Sequence, residues 1–191
     1  MQPCRLIAED IACRRGDRLL LRGLGFDLKT GCALHLAGPN GIGKSSLLRI
    51  LAGLMRAYAG VVTATGAIAL SDERLSLDAH RPLGAALDFW RRIDGLAALP
   101  ADFGLDGLAD VPVRYLSTGQ RKRAGLACVA ASGAAIWLLD EPLNGLDTHW
   151  ADVAQSAIAA HCARGGIAVI ASHQALDVPR LQRLSLLDFV P

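Results

Sequence analysis

An α/β fold with a mostly parallel sheet is the architecture that this sequence of 191 residues predicts. Short apolar runs alternate along the chain with segments whose apolar residues recur at helical spacing, and this alternation is typical of parallel sheets. The runs at 134–139 and 167–171 are continuously apolar, as expected of strands buried on both faces. No repeat, low-complexity tract or flexible linker interrupts the chain. We therefore predict a single domain over residues 1–191, with a core at about 1–75 and 133–191 and a helical subdomain at about 76–132.

The elements of the core follow from the apolar runs and from the turn residues between them. Residues 5–28 predict an N-terminal β subdomain of two or three short antiparallel strands around a charged turn at 14–17. The next elements are a buried strand at 32–37, a helix at 45–54 and strands near 61–63 and 67–70. Residues 83–110 have a helical apolar pattern with Pro82, Pro100 and Pro112 at its boundaries, which indicates a small helical insertion.

Composition restricts the class of protein. The chain is 52% hydrophobic and 20% charged with a formal net charge of +2, which excludes a disordered chain and offers no basic surface for nucleic acid. The longest uncharged stretch, 124–139, is too short to span a bilayer, and no secretory signal is visible, so we expect a cytoplasmic protein. Five scattered cysteines without a C-x-x-C pair predict free thiols rather than disulfides or a zinc site.

A glycine-rich loop lies between the strand at 32–37 and the helix at 45–54. Its sequence, GPNGIGKS at 38–45, matches the phosphate-binding pattern G-x-x-x-x-G-K-[ST] without a gap. Glycines let the backbone curl around phosphates, so that successive N–H groups and the positive end of the helix face the anion. We expect Lys44 to reach the β- and γ-phosphates and Ser45 to bind Mg²⁺. The phosphate-binding residues predicted here are Gly38, Pro39, Asn40, Gly41, Ile42, Gly43, Lys44, Ser45 and Ser46.

Two carboxylates follow the apolar run at 134–139. Successive side chains of a strand point to opposite sides, so Asp140 and Glu141 can take different roles. We expect Asp140 to bind Mg²⁺, directly or through its water, and Glu141 to deprotonate or polarise the attacking water. Together with the glycine-rich loop, this acidic strand end predicts a P-loop NTPase of the RecA-like type, but it does not separate kinases, GTPases and motor ATPases.

A third motif narrows the class. The sequence LSTGQ at 116–120, before the basic run 121–123, resembles the LSGGQ signature of ABC ATPases, with Thr118 as its one departure. Ser117 stands near a helix N-terminus, where its hydroxyl, the Gly119 N–H and the helix dipole form a second anion site; a plain helix cap is the alternative interpretation. In that family the signature, here Ser117, Gly119 and Gln120, completes the nucleotide pocket of the opposite subunit. The resemblance therefore implies a homodimer with ATP at its interface.

Two further segments match the order of the same family. Residues 144–147, NGLD, resemble its D-loop, which implies that Asp147 contributes to the nucleotide site. His173, after the apolar run at 167–171, resembles its switch histidine. We expect a neutral His173 to contact the γ-phosphate and hold the attacking water. The catalytic residues implied are Glu141, His173 and Lys44, and the cofactors are ATP and Mg²⁺.

Within the ABC ATPases, the chain resembles the CcmA family of cytochrome c biogenesis. The segments that carry this resemblance are LSTGQRKR at 116–123, WLLDEP at 137–142 and the pair Gly165-Gly166 before Ser172-His173-Gln174. That family implies a peripheral subunit on the cytoplasmic face of the bacterial inner membrane, coupled to an integral membrane subunit of the CcmB type and handling haem. No C-x-x-C-H motif is present, so we expect any contact with haem to be made by partners.

Two positions depart from the ABC pattern. The family places a Mg²⁺-contacting glutamine where this chain has LSDER at 70–74, and Glu73 is the candidate substitute as an oxygen ligand. Many ABC ATPases stack an aromatic residue on adenine where this chain has Arg14 and Arg15. An arginine plane can stack on a base instead, and we take Arg15 as the candidate base contact.

These departures leave alternatives open. An ATP-binding regulatory subunit with little turnover is one, because the expected glutamine is missing. The ATPase of another small ABC transporter is the second. Soluble ABC proteins of translation or DNA repair need paired ATPase domains or a long coiled-coil insertion, and neither fits in 191 residues.

Overall fold

The computed structural model describes residues 3–72, 76–93 and 103–191. Its strands are β1 (Arg5–Arg15), β2 (Arg18–Lys29), β3 (Ala33–Ala37), β4 (Ala59–Thr65), β5 (Ile68–Ser71), β6 (Ile136–Asp140), β7 (Ile167–Ser172) and β8 (Leu181–Ser185). Its helices are α1 (Lys44–Leu51), α2 (Leu83–Ile93), α3 (Thr118–Ala131) and α4 (Thr148–Ala163), with 3₁₀ turns at Asp106–Leu108, Val113–Tyr115 and Leu186–Phe189. None of the helices in these ranges has the length and apolar character of a membrane span.

Five strands form a parallel sheet in the order β5-β6-β7-β3-β8. The strands β3, β6 and β7 are buried throughout, as their apolar runs predict. Because β6, β7 and β3 are neighbours, the residues after their carboxyl ends meet at one edge of the sheet. This edge carries the glycine-rich loop, the acidic pair and His173. The predicted mostly parallel α/β sheet is confirmed.

The N-terminal sheet is antiparallel, with the order β2-β1-β4. Residues 5–28 form two long strands rather than two or three short ones, and the reversal lies at Gly16 and Asp17. Register shifts along β1 let the hairpin bend without ending the strand. One apolar cluster joins this sheet to α1 and to one face of the parallel sheet, through residues such as Leu21, Leu36 and Leu47.

The opposite face of the parallel sheet packs against α4, and the helical insertion has a small cluster of its own. Trp137 and Ile170 of the sheet share a cluster with Ile158 of α4. The insertion follows β5 and precedes β6 along the chain, and in it Leu83 and Leu87 of α2 pack with Ala124 of α3. The strand β8 carries no clear signal in the sequence, because its residues LQRLS are only partly buried or exposed. It pairs with β3 at the edge of the sheet.

Candidate nucleotide-binding and hydrolytic site

The phosphate loop, residues 38–45, connects β3 to α1 and forms one wall of a cleft. Gly43 is the N-cap of α1, and its φ of 117° is a value that residues with a Cβ rarely adopt. A Cβ at Gly43 would also lie 3.4 Å from Leu20 Cβ, so β2 packs directly against the loop. The cleft has a volume of about 520 Å³. Six of the nine predicted phosphate-binding residues line it, namely Asn40, Gly41, Gly43, Lys44, Ser45 and Ser46.

The other predicted residues of the loop lie around this lining. Ile42 is half-buried against the main apolar cluster, and a Cβ at Gly38 would lie 3.1 Å from its side chain. Ile42 therefore anchors the loop to the core rather than facing the cleft. The carbonyl groups of Gly38 and Pro39 both accept hydrogen bonds from Lys44 Nζ, at 2.8 and 3.3 Å. Lys44 is held inside the curl of its own loop.

Lys44 also forms an ion pair with Glu141. Its Nζ lies 3.1 Å from Glu141 Oε1, and the side chains are only 6% and 11% exposed. A buried ammonium without a carboxylate partner is strongly unfavourable, and Glu141 provides that partner across the cleft. The phosphate loop and the acidic strand end are therefore linked by a charge pair.

Glu141 occupies an unusual backbone conformation at the end of β6. Its φ is 46°, in the left-handed region, and its N–H donates to the carbonyl of Ala171 at 2.8 Å. Strained residues of this kind persist only where the surroundings hold them, and they cluster at functional sites. Burial alone would raise the pKa of Glu141, but hydrogen bonds from His173 and Lys44 and the charge of Lys44 hold that pKa below its usual value. Glu141 is an ionised, acceptor-only group.

His173 contacts the other oxygen of the same carboxylate. Its Nδ1 lies 2.9 Å from Glu141 Oε2, and its backbone N–H donates to that oxygen at 3.4 Å. Since an ionised carboxylate only accepts, Nδ1 carries the proton. A neutral His173 has thereby used its one N–H on Glu141. Donation to a γ-phosphate, as expected from the sequence, requires either an imidazolium or a rotation of the ring away from Glu141.

Asp140 and Ser45 provide the oxygen atoms predicted for Mg²⁺. Both line the cleft, and Asp140 is only 3% exposed. Hard oxygen donors and few protein ligands fit Mg²⁺, which keeps waters and takes phosphate oxygens as further ligands. The described residues contain no group of three or more His, Cys, Asp or Glu that could hold a metal ion alone. Glu73, the third predicted ligand, lies outside the described residues.

The signature segment lies outside the cleft lining and is joined to the 144–147 segment of the same chain. Ser117 and Gln120 form a reciprocal capping box at the start of α3. The Gln120 N–H donates to Ser117 Oγ at 3.2 Å, and the Ser117 N–H donates to Gln120 Oε1 at 2.8 Å. A Cβ on Gly119 would lie 2.6 Å from the carbonyl oxygen of Gly145. Asp147 caps α4 by accepting from the Trp150 N–H at 2.9 Å. The helix-cap interpretation of Ser117 is therefore realised in the structure.

The two arginines at the end of β1 face different surroundings. Arg15 lines the cleft, together with its cross-strand partner Arg18 on β2. Arg14 lies over the ring of Tyr58, with its guanidinium carbon 4.9 Å from the centroid. The cleft position of Arg15 agrees with its choice as candidate base contact. Arg18 is a cleft residue that the motifs do not predict; it lies two residues before Leu20, which also lines the cleft, on the same face of β2.

Lys122 is a second residue that the motifs do not single out. Its Nζ donates to the carbonyl of Asp140 at 2.8 Å. This bond joins α3, which begins at the signature, to the end of β6. The sequence does not predict this contact, because the basic run at 121–123 gives no indication of which carbonyl a lysine will reach.

Comparisons with known proteins identify the family. A family model described as ABC transporter matches residues 21–144. The chain is 67% identical to the cytochrome c biogenesis ATP-binding export protein CcmA of Novosphingobium aromaticivorans, over 100% of both chains. The chain belongs to the CcmA family of ABC transporter ATP-binding proteins. It is also 49% identical to the CcmA of Zymomonas mobilis, over 97% of this chain and 86% of that one.

Membership of the CcmA family agrees with the fold. A putative ABC transporter ATP-binding protein from Pyrococcus furiosus superposes with a TM-score of 0.82 at 20% identity, covering 98% of this chain and 100% of the other. An ATP-binding subunit of an ABC transporter superposes with a TM-score of 0.79 at 21% identity, covering 88% and 79%. These likenesses show the fold, and the family match together with the CcmA relatives shows that the chain is an ABC ATPase, as the sequence resemblance implies.

Proposed function

We propose that this chain is the ATP-hydrolysing, energy-coupling subunit of an ABC exporter that acts in cytochrome c biogenesis. Its CcmA relatives are named as ATP-binding export proteins of that process. The observation that supports ATP hydrolysis by this chain is the set of contacts among Lys44, Glu141 and His173. It places a phosphate-binding ammonium and an imidazole each within hydrogen-bonding distance of the same ionised carboxylate.

The chemistry begins with a competition for Lys44. The ammonium is bound to two loop carbonyls and to Glu141, and a triphosphate in the cleft offers it more negative charge. Transfer of Lys44 to phosphate oxygens frees Glu141 Oε1. The carboxylate then accepts a proton from a water molecule while that water's oxygen bonds to the γ-phosphorus and the bond to the β,γ-bridging oxygen breaks. His173 orients the same carboxylate through Nδ1, and a rotation of its ring away from Glu141 would let it stabilise charge on the γ-phosphoryl oxygens.

Mg²⁺ fits the donor set formed by Ser45 and Asp140, with Glu73 as a further candidate ligand. When bound, it would neutralise charge on the β- and γ-phosphate oxygens. The chain's own contribution is to keep Asp140 buried at the end of β6, where its backbone carbonyl is held by Lys122. Arg15 at the mouth of the cleft would contact the base.

The assembly proposed is a homodimer bound to membrane partners. Ser117, Gly119, Gln120 and Asp147 lie away from the cleft of their own chain, which is the arrangement expected if they complete the cleft of a second copy. The helix dipole and the N–H groups at the start of α3 would then face its γ-phosphate. We place the dimer on the cytoplasmic face of the bacterial inner membrane, peripherally, on an integral subunit of the CcmB type that makes any contact with haem. Nucleic acid is not a partner in this proposal.

The whole chain would act as one ATPase domain. The core at about 1–75 and 133–191 carries the phosphate loop, the acidic pair and His173. The helical subdomain at about 76–132 carries the signature segment. The apolar cluster that α2 forms with Ala124 of α3 supports this division, while Leu126 and Ala127 on α3 pack against the core.

The test compares Glu141→Gln with Glu9→Gln, a matched change of an exposed carboxylate on β1. Turnover of MgATP is measured on each variant purified with its co-expressed membrane subunit, and the mass in solution is measured with and without ATP on the ATPase subunit alone. Loss of a general base lowers turnover by about a hundredfold or more. We expect this loss for Glu141→Gln, with an ATP-dependent dimer, and no change for Glu9→Gln.

Two outcomes would contradict the proposal. Full turnover by Glu141→Gln would remove Glu141 from the chemistry. ATP binding by the wild-type complex without turnover would favour the regulatory alternative, in which the contacts of Glu141 with Lys44 and His173 persist after nucleotide binds.

A further inference from the structure

His35 is a buried imidazole that the phosphate chemistry does not use. It lies in the middle of β3 and is 7% exposed. Its Nε2 lies 2.9 Å from the carbonyl oxygen of Ser172, at the carboxyl end of β7. Because a carbonyl oxygen only accepts, Nε2 carries the proton. In the ladder His35 is opposite Ile170, so this bond is an additional link between the two strands beyond their regular pairing.

The bonded carbonyl belongs to the peptide group that leads into His173. In a trans peptide the C=O and the N–H point in opposite directions. The C=O of Ser172 is bound by His35, and the N–H of His173 donates to Glu141 Oε2 at 3.4 Å. That oxygen also accepts from His173 Nδ1 at 2.9 Å. A chain of two hydrogen bonds therefore runs from His35 through one peptide group to the carboxylate of Glu141.

We infer that His35 is a positioning residue for ATP hydrolysis: it holds the Ser172–His173 peptide group so that the amide and the imidazole of His173 both face Glu141. This inference rests on the proposed roles of Glu141 and His173. Hydrogen bonds linked through one buried peptide group polarise each other and restrict its rotation.

Loss of the His35 donor leaves the carbonyl of Ser172 unsatisfied and lets the peptide group turn. The buried carbonyl can recover a partner only by changing the orientation that His173 depends on. His35 is not one of the residues that line the cleft, so nucleotide binding is retained. The expected effect is a lower kcat with KM unchanged.

The test uses two side chains of similar length that differ in hydrogen bonding. His35→Gln keeps an N–H donor at about the position of Nε2, whereas His35→Met has none. We expect His35→Met to lower the kcat of MgATP turnover by about three- to tenfold with KM within about twofold, and His35→Gln to restore most of the loss. Hydrogen exchange at the His173 amide is expected to be faster in His35→Met. His35→Leu serves as a second donor-free variant if His35→Met does not fold.

His161→Met is the matched control for loss of a buried imidazole. His161 is 3% exposed, and its Nε2 lies 3.3 Å from the carbonyl of Ile167, at the start of β7 and away from Glu141. It is expected to lower the thermal midpoint as much as His35→Met does while leaving kcat within about twofold.

Several results would overturn the inference. These are wild-type kcat in the donor-free His35 variants, equal losses in His35→Gln and His35→Met, or an equal loss of kcat in His161→Met. Glu141→Gln is measured in the same assay. If it is inactive while the His35 variants are unaffected, only the role of His35 fails. If it is active, the proposed role of Glu141 fails first.

Discussion

The close approach of the signature segment to the 144–147 segment predicts the effect of a single methyl group. A Cβ on Gly119 would lie 2.6 Å from the carbonyl oxygen of Gly145, which is about 0.7 Å closer than the about 3.3 Å at which carbon and oxygen ordinarily meet. Both atoms belong to or are fixed by backbone, so no flexible side chain can move aside. Gly119→Ala must therefore separate the start of α3 from the segment that precedes α4.

The magnitude follows from two opposing contributions. Forcing an extra methyl group into a packed contact costs about 1–3 kcal/mol. Alanine is a better helix former than glycine, which recovers at most about 1 kcal/mol. The net loss lies between about 0 and about 3 kcal/mol, and its middle value of about 1.5 kcal/mol corresponds to a Tm lower by about 3–6 °C for a chain of this size. Since misplacing a catalytic contact by a fraction of an ångström is costly, turnover is expected to fall by about tenfold or more.

Thermal unfolding followed by circular dichroism and steady-state turnover of MgATP measure the two effects. Gly107→Ala is the control, because a Cβ at Gly107 meets nothing within 4 Å and its φ is not left-handed. We expect this control to match the wild type in both assays. If Gly119→Ala were as stable and as active as Gly107→Ala, the contact between Gly119 and Gly145 would not constrain the site.

The remaining predictions concern the mouth of the cleft and a buried histidine. Arg15→Ala is expected to raise the Kd for ATP by about two- to fivefold through loss of cation–π stacking on the base. Arg14→Ala removes a group that lies over Tyr58 and is expected to leave the Kd unchanged. Equal effects of the two variants in equilibrium titrations would exclude selective stacking by Arg15. Burial lowers the pKa of His161 below its ordinary value of 6.5. Just below pH 6.5 this histidine therefore binds a proton only in the unfolded chain, and the free energy of unfolding falls by at most about 1.4 kcal/mol for each unit by which the pH is lowered. His161→Phe keeps a ring against Trp137 and should reduce the slope of Tm between about pH 6.5 and about pH 5; an unchanged slope would contradict it.

Local motifs account for most of what could be predicted. The phosphate loop needs glycines, a lysine and a hydroxyl within eight consecutive residues, 38–45, so its chemistry can be read without tertiary structure. The strands β6 and β7 are continuously apolar because both of their faces are buried. The positions of the buried strands along the chain, and the identity of Lys44, Asp140 and Glu141 as residues that follow their carboxyl ends, can be predicted from these two facts.

The contacts made by individual side chains could not be predicted in the same way. His173 and Glu141 are 32 residues apart, and His35 and Ser172 are 137 apart. No periodicity or spacing relates such pairs, because their distance depends on the order and register of β3, β6 and β7. The contact of His173 with the γ-phosphate stays a prediction, and its bond to Glu141 was not among the expectations that the sequence supports.

The sequence by itself determined the fold class, the family and the chemical groups of the hydrolytic site, because these depend on residue types at short spacing and on hydrophobic periodicity. Tertiary structure alone decided how those groups are paired: Lys44 with Glu141, Glu141 with His173, and the Gly119 backbone against Gly145. The physical reason is that each pairing joins the ends of different elements, and strand order and packing set which ends meet. The role inferred for His35 belongs to this second group.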